Sequence, residues 1–410
     1  MENKQYSTPV SEQERVHELD MIRGFALLGI LIANMPIFAS PAIYLALTGE
    51  TWWIESWHVF ADFIIQFFAS SKFFTMFSFL FGLGFVIFLQ RATEKVSNPK
   101  KLFLKRLFYL FLIGLVHAFG IWYGDILVIY AITGVFLLLF YNRKPKTVLI
   151  WAFALILIPA AFMSFMGLVI YLLGDLMPAD TGMTATGMQM LEQSVAAYGS
   201  GSIADIFAQR ATDYLFLFGD SLLMAPIVLG MFLFGVYVAK KGIHQNIENN
   251  LPFFRKVWVW SLAIGLPFNV IFVYSYFEQG ADLSAYMMTH FVGMIIGGPA
   301  LCFFYMTSII LLSRVQGWKK FFNPLRAVGR TALSNYLLQS IVSTLIFYNY
   351  GLGFYGEIGP LYWLVIVAIL FGLQIWISNI WVKKFRFGPA EWLWKSLTYG
   401  KRQPFVIKEK

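Results

Sequence analysis

The sequence predicts an all-α polytopic membrane helix bundle of about ten transmembrane helices, with both termini on the cytoplasmic side. Three observations carry that expectation. Hydrophobic residues make up 59% of the 410 positions and charged residues only 13%, against roughly 25% charged in an ordinary soluble domain. Apolar runs long enough to cross a bilayer recur along the whole chain. Basic and acidic residues alternate between the intervening stretches, as the positive-inside rule requires. A water-soluble fold has too little interior to hide this much apolar surface, so lipid must act as the solvent.

Taken in order, residues 1–20 are polar and form a cytoplasmic N-terminal segment. The first apolar run continues from Met21 to about Leu47, too long for a signal-peptide core and without a cleavage site, so it reads as an uncleaved span. Spans are expected near 21–45, 70–91, 103–121, 125–141, 147–173, 215–239, 256–276, 288–312, 328–349 and 360–382. Gly120, Gly124 and Asp125 divide the apolar stretch 103–141 into two. Residues 51–69 carry Trp52, Trp53 and Trp57 and suit a helix at the outer interface. The longest external segment is 174–214. Residues 386–400, opened by Gly388 and Pro389, pattern as an amphipathic cytoplasmic helix.

The stretches assigned to the cytoplasm carry the clusters around Lys100, Arg143, Lys240, Arg314 and Lys383. The alternate stretches carry acids, among them Glu50, Asp125, Asp175, Asp180, Asp213, Asp282 and Glu357, with Arg210 as the single basic exception. The net charge of +9 therefore reflects orientation, and a nucleic-acid partner is rejected. Cys302 is the only cysteine, which excludes an intramolecular disulfide and a cysteine-based metal cage. No phosphate-cradling loop, zincin histidine pair or serine elbow is present. No metal is expected.

Ionisable and amide side chains inside a span are costly and mark candidate sites. Asp20 and Arg23 stand one turn apart at the inner end of the first span, and Asn34 follows eleven residues after Arg23, close to the same face. His58 and Asp62, at i and i+4, form the pairing by which a carboxylate holds an imidazole ready as a general base. His117 lies deep in the third span and needs a partner, with Asp125 and Asn34 as candidates. Arg330 opens the ninth span, which carries Ser334, Asn335, Tyr336, Gln339 and Ser340 and must face the bundle interior or a wet cavity. For each group the structural alternative stands beside the functional one: an interfacial ion pair, an aromatic-belt histidine, or helix-to-helix hydrogen bonding.

The segments HELDMIRGFALLGILIANMP (17–36), SKFFTMFSFLFGLGF (71–85), KRLFYLFLIGLVHAFGIWYGDILVIYAITG (105–134), VGRTALSNYLLQS (328–340) and FRFGPAEWLWKSLTYG (385–400) resemble the YeiB-type bacterial membrane proteins. The last two look like that family's C-terminal domain of unknown function. The family is grouped with the transmembrane acyltransferases, including heparan-glucosaminide N-acetyltransferase, whose opening helix has a similar Leu-Asp-x-x-Arg-Gly motif and an asparagine. The resemblance implies a multi-pass protein of the bacterial cytoplasmic membrane. It divides into the N-terminal segment 1–20, an acyltransferase-like bundle over 21–240, and a C-terminal domain over 241–410 with an amphipathic tail. It also implies acyl transfer from cytoplasmic acyl-CoA, such as acetyl-CoA, to an acceptor outside or in the membrane. Asn34 and His58 match the relative's asparagine and histidine. Arg23, Lys105, Arg106 and Arg330 would gather at the inner face to hold the anionic donor.

The competing expectation is a small-molecule transporter, although paired halves with matching broken helices are not visible. A structural membrane subunit is the third. The expected partners are the bilayer, a small-molecule or glycan acceptor, and a second copy of the chain. The charge alternation yields a direct expectation for topology. Reporters active only in the cytoplasm should work when fused after residue 144 or 241 and stay silent after residue 205. The reverse pattern would overturn the orientation.

Overall fold

In hydrocarbon a backbone N–H or C=O finds no water, so each apolar run folds into a helix that satisfies its own peptide groups. A computed structural model describes residues 16–173, 183–278 and 287–407. In chain order the helices are α1 (His17–Ala39), α2 (Ala42–Thr48), α3 (Ser56–Ile64), α4 (Phe73–Thr93), α5 (Pro99–Leu115), α6 (Leu127–Phe140), α7 (Pro145–Leu173), α8 (Met183–Ser200) and α9 (Ile203–Lys240). They continue with α10 (Leu251–Phe277), α11 (Gly298–Leu312), α12 (Gln316–Phe322), α13 (Leu325–Arg330), α14 (Ala332–Phe347), α15 (Pro360–Lys384) and α16 (Pro389–Tyr399). Wide π-type turns extend α3 over Ile65–Ala69 and α5 over Val116–Ile121. The protein is an all-α, multi-pass membrane bundle. Among the described residues, eight helical segments are long and apolar enough to span a bilayer.

The other two expected spans are short. α6 has 14 residues and α14 has 16, about 21 and 24 Å at ~1.5 Å per residue, less than the ~30 Å hydrocarbon core. Both are completed by neighbouring structure. Residues 122–126 lead from the π-turn into α6, and the Tyr336 hydroxyl of α14 donates to the Gly124 carbonyl at 3.3 Å. Trp122 and Tyr123 in that irregular stretch are 1% and 2% exposed, so its backbone lies within protein and not against lipid.

Other boundaries shift for local reasons. The first span closes at Ala39 rather than near residue 45, because Ser40 is extended, its N–H capping Pro36 O, and Pro41 starts the separate α2. α9 starts at Ile203, earlier than the expected 215, because Ser202 and Asp205 form a capping box. Asp175, Asp180 and Asp282, most of the N-terminal segment, and the first part of the external segment 174–214 lie outside the described residues.

Small residues set the closest helix contacts. A Cβ on Gly82 would stand 1.9 Å from Phe232 O, and one on Gly235 2.0 Å from Phe79 O, so α4 and α9 touch backbone to backbone. Gly24 and Gly329 do the same for α1 and α13, with would-be contacts of 2.2 Å to Leu325 O and 2.0 Å to Asp20 O. The second pair brings Arg23 and Arg330 to one end of the bundle.

That end carries the basic loops. Arg314 bridges Glu18 and Glu248, and Lys240 donates to the carbonyls of Tyr141 and Arg143. At the opposite end Asp213 accepts from Tyr44, Tyr198 and Gln209. Arg210, the basic exception there, is 1% exposed and donates to Phe119 and Gly120 carbonyls of the π-turn. It serves the fold, not the orientation. Replacing Gly235 by Val is expected to part α4 from α9, costing about 1–3 kcal/mol as an overpacked contact. A lowered melting midpoint of the detergent-purified protein reads this, and an unchanged midpoint would contradict the close packing.

Candidate functional site

A cavity of about 410 Å³ opens at the basic end, within the usual range for a small-ligand site. Its rim carries Arg23, Arg91, Lys95, Arg106, Arg330 and Lys395 against Asp20 and Glu391, six basic side chains to two acidic. Its interior is apolar and aromatic, reaching Ile30 of α1, Phe81 of α4, Leu127 and Tyr130 of α6, and Tyr336 of α14. The walls come from both halves of the chain.

Each rim residue has a structural reason for its place. Asp20 Oδ1 accepts from Arg23 Nη1 at 2.7 Å, the i,i+3 pair expected on α1. The Arg106 guanidinium lies 3.7 Å over the Trp394 ring, and Trp394 Nε1 donates to Arg106 O at 2.9 Å, so α16 holds α5 at the mouth. Glu391 accepts from the Leu333 and Ser334 N–H groups at the start of α14, and from the Ser334 hydroxyl. It caps the helix, as an anion does at a helix N-terminus. Burial pushes this carboxyl above the ordinary glutamate range, and its hydrogen bonds pull it partly back.

Behind Tyr336 lies a buried hydrogen-bonded array. His117 Nδ1 is 2.7 Å from Asp125 Oδ2, and His117 Nε2 is 2.8 Å from Ser340 Oγ. The His117 and Asp125 side chains are both 0% exposed, as is Ser340. A carboxylate only accepts, so Nδ1–H donates to Asp125; in the neutral imidazole Nε2 then accepts from the serine hydroxyl, which also faces Tyr336 O at 3.4 Å. Asp125 Oδ1 also accepts from Val128 N at 2.8 Å and caps α6. The Tyr336 ring, part of the cavity wall, is 5.0 Å from the His117 ring.

The structure gathers some sequence candidates and separates others. Arg23, Arg106 and Arg330 share the cavity rim. Lys105 does not: it is exposed, beside the Tyr109 ring, because one residue along a helix turns the side chain by about 100°. Of the two partners considered for His117, Asp125 is bonded to it and Asn34 is not. Asn34 is half-buried one turn beyond Ile30, the last α1 residue on the cavity wall, and its side chain hydrogen-bonds to no described residue. The expected His58–Asp62 pair is corrected. His58 Nδ1 accepts from Leu361 N at 3.3 Å at the start of α15, while Asp62 accepts from Gln66 at 3.0 Å. The backbone amide claims the imidazole nitrogen, and Asp62 continues down its own helix. His58 sits at the acidic end, away from the cavity.

Asn335 and Gln339 are helix-bridging groups. Asn335 donates to Ser378, and Gln339 to Gln374 and Leu27 O. What sequence reasoning missed is the link from His117 to Ser340, 223 positions away, and the cavity role of Arg91, Lys95, Glu391 and Lys395. No periodicity signals either. Only the unusual density of polar residues in 334–340 pointed there.

These features define a multi-pass helical membrane protein with a one-sided cationic cavity. Residues 238–401 match the family model described as "Protein of unknown function (DUF418)". The chain is 37% identical to "Uncharacterized protein YxaH" of Bacillus subtilis (strain 168), over 98% of both chains. It is 28% identical to "Uncharacterized protein YeiB" of Escherichia coli (strain K12), over 96% of this chain and 99% of that one. It is also 28% identical to "Uncharacterized 39.9 kDa protein in amylase 3'region" of Bacillus acidopullulyticus, over 98% and 99%. The chain belongs to this YeiB-type family.

Asp125→Ala is expected to be costly, because it strands a buried imidazole and uncaps α6. The loss should be about 3–5 kcal/mol, as for a buried pair missing one partner. Thermal unfolding in detergent measures it, and a loss under about 1 kcal/mol would contradict the buried pairing.

Proposed function

We propose that the protein is a membrane-embedded acyltransferase of the bacterial cytoplasmic membrane, taking an acyl group from cytoplasmic acyl-CoA to an acceptor in or beyond the bilayer. The observation that carries this reading is the cavity: six basic side chains at its mouth and an apolar interior. Phosphates suit the rim, since arginine offers paired donors to their oxygens. The apolar depth suits the acyl end. His117, fixed by Asp125 behind the Tyr336 side of the cavity, fits the general base better than His58, which is bonded to a backbone amide at the far end. The basic face is then the cytoplasmic one, consistent with the charge alternation.

A second reading, a transporter open on one side, draws support from the same one-sided opening. Solute uptake into sealed vesicles without any covalent product would favour it.

Titration of purified protein with acetyl-CoA and a long-chain acyl-CoA tests the main reading. Binding is expected, weakening as salt is raised. Arg23→Ala with Arg330→Ala should weaken it by ~10-fold or more, since lost charged contacts to phosphate are worth over a kcal/mol. Binding at parental strength in that double variant, or no binding by the parent, removes the proposal.

A further inference from the structure

We infer that Ser340 is a nucleophile that carries the acyl group as a covalent ester during transfer, with His117 as its base and Asp125 as the residue that orients His117. The inference rests on the acyl-CoA reading for the identity of the donor. The geometry behind it is independent of that reading.

The three groups form a line: carboxylate, imidazole, hydroxyl, at 2.7 and 2.8 Å. This is the arrangement in which a neutral imidazole removes the hydroxyl proton as the oxygen attacks. A network serving only to join helices needs donors matched to acceptors, and this region leaves some unmatched. Trp122 Nε1, whose ring is 6.2 Å from that of His117, is buried without a hydrogen-bond partner among the described residues. So is Ser343 Oγ, one turn beyond Ser340 on α14. These are two unused buried donors on the elements that carry the array, the kind of group a tetrahedral oxyanion calls for. Asn335 and Gln339, by contrast, spend their amide N–H groups on neighbouring helices, and the amide oxygen that Gln339 leaves unmatched is an acceptor, of no use to an oxyanion.

Position completes the case. Ser340 is eight residues into α14, about 12 Å from its start. Tyr336, one turn before it, is cavity wall. Tyr336 is held to Gly124 by a 3.3 Å bond, longer than the usual hydroxyl bond. On the proposed route, rotation of the Tyr336 ring is the step that joins the cavity to the array. A donor in the cavity and an acceptor from the other side then need not meet at once, because the serine ester holds the acyl group between them.

The chemistry balances. Ser340 Oγ bonds to the thioester carbonyl carbon as its proton passes to His117 Nε2. The carbon–sulfur bond breaks, and the CoA thiolate leaves with that proton. An acceptor hydroxyl or amine next attacks the ester carbonyl and gives its proton to His117. Ser340 departs and regains that proton.

Purified protein is incubated with acyl-CoA in the absence of acceptor and examined by intact and peptide mass spectrometry. The expected result is one acyl group on the peptide containing Ser340, removable by hydroxylamine. It should be absent in Ser340→Ala and formed at least 100-fold more slowly in His117→Gln, with CoA binding retained in both. CoA release by the parent without an adduct, and at the same rate in Ser340→Ala, overturns the nucleophile while leaving acyl transfer intact. If the parent neither binds nor consumes acyl-CoA, the donor assignment fails, and a fluorophosphonate decides the array. Labelling at Ser340 that is lost in His117→Gln and faster in Tyr336→Ala supports the nucleophile. No labelling in the parent or in Tyr336→Ala overturns it.

Discussion

The contact between His117 and Asp125 is the interaction on which the centre of this structure depends. One carboxylate oxygen holds the imidazole and the other caps α6. Together they fix the stretch 122–126, whose backbone cannot complete a helix, within the thickness of the bundle. Exposed to lipid, such a stretch would leave its peptide groups unsatisfied at several kcal/mol each. Because it is held, α6 and α14 can both be shorter than the bilayer is thick. Both helices contribute to the inner wall of the cavity, through Leu127, Tyr130 and Tyr336.

The cavity mouth obeys a different constraint. Charges of one sign at close range repel, and a low-dielectric surround strengthens the repulsion. The protein limits the strain by giving several cations a local counterpart: Asp20 for Arg23, and the Trp394 ring for Arg106. Glu391 lies among them but spends its oxygens on the start of α14. Six basic groups against two acidic leave a positive excess over the opening, a favourable potential for an anionic ligand. The close approach of α1 and α13, through Gly24 and Gly329, is what brings the Arg23 and Arg330 segments together.

Much was legible in the chain itself. The apolar runs located the spans, and alternating charge separated the two ends that the structure later displays in Arg314 and Asp213. Gly120, Gly124 and Asp125 marked the break before α6. The dense polar run 334–340 marked α14 as interior. The candidate site was only partly legible. Arg23, Arg106 and Arg330 share the rim as expected from their place at the ends of spans. Lys105 was misplaced because the chain gives no absolute helix rotation. His58 and Asp62 satisfied an i,i+4 rule that the amide of Leu361, three hundred positions on, overrode.

The sequence by itself determined the membrane spans, within the limits of α6 and α14, and its motifs carried the resemblance to the family. The spans are set by hydropathy along the chain, which acts locally. Only the tertiary structure decided that Ser340 meets His117, that Glu391 caps α14, and that a tail helix closes over Arg106. Such contacts join residues far apart in the chain. They depend on how each helix is rotated and how deep it sits, which in lipid are set by side-chain packing and hydrogen bonding because the solvent distinguishes little between one apolar face and another.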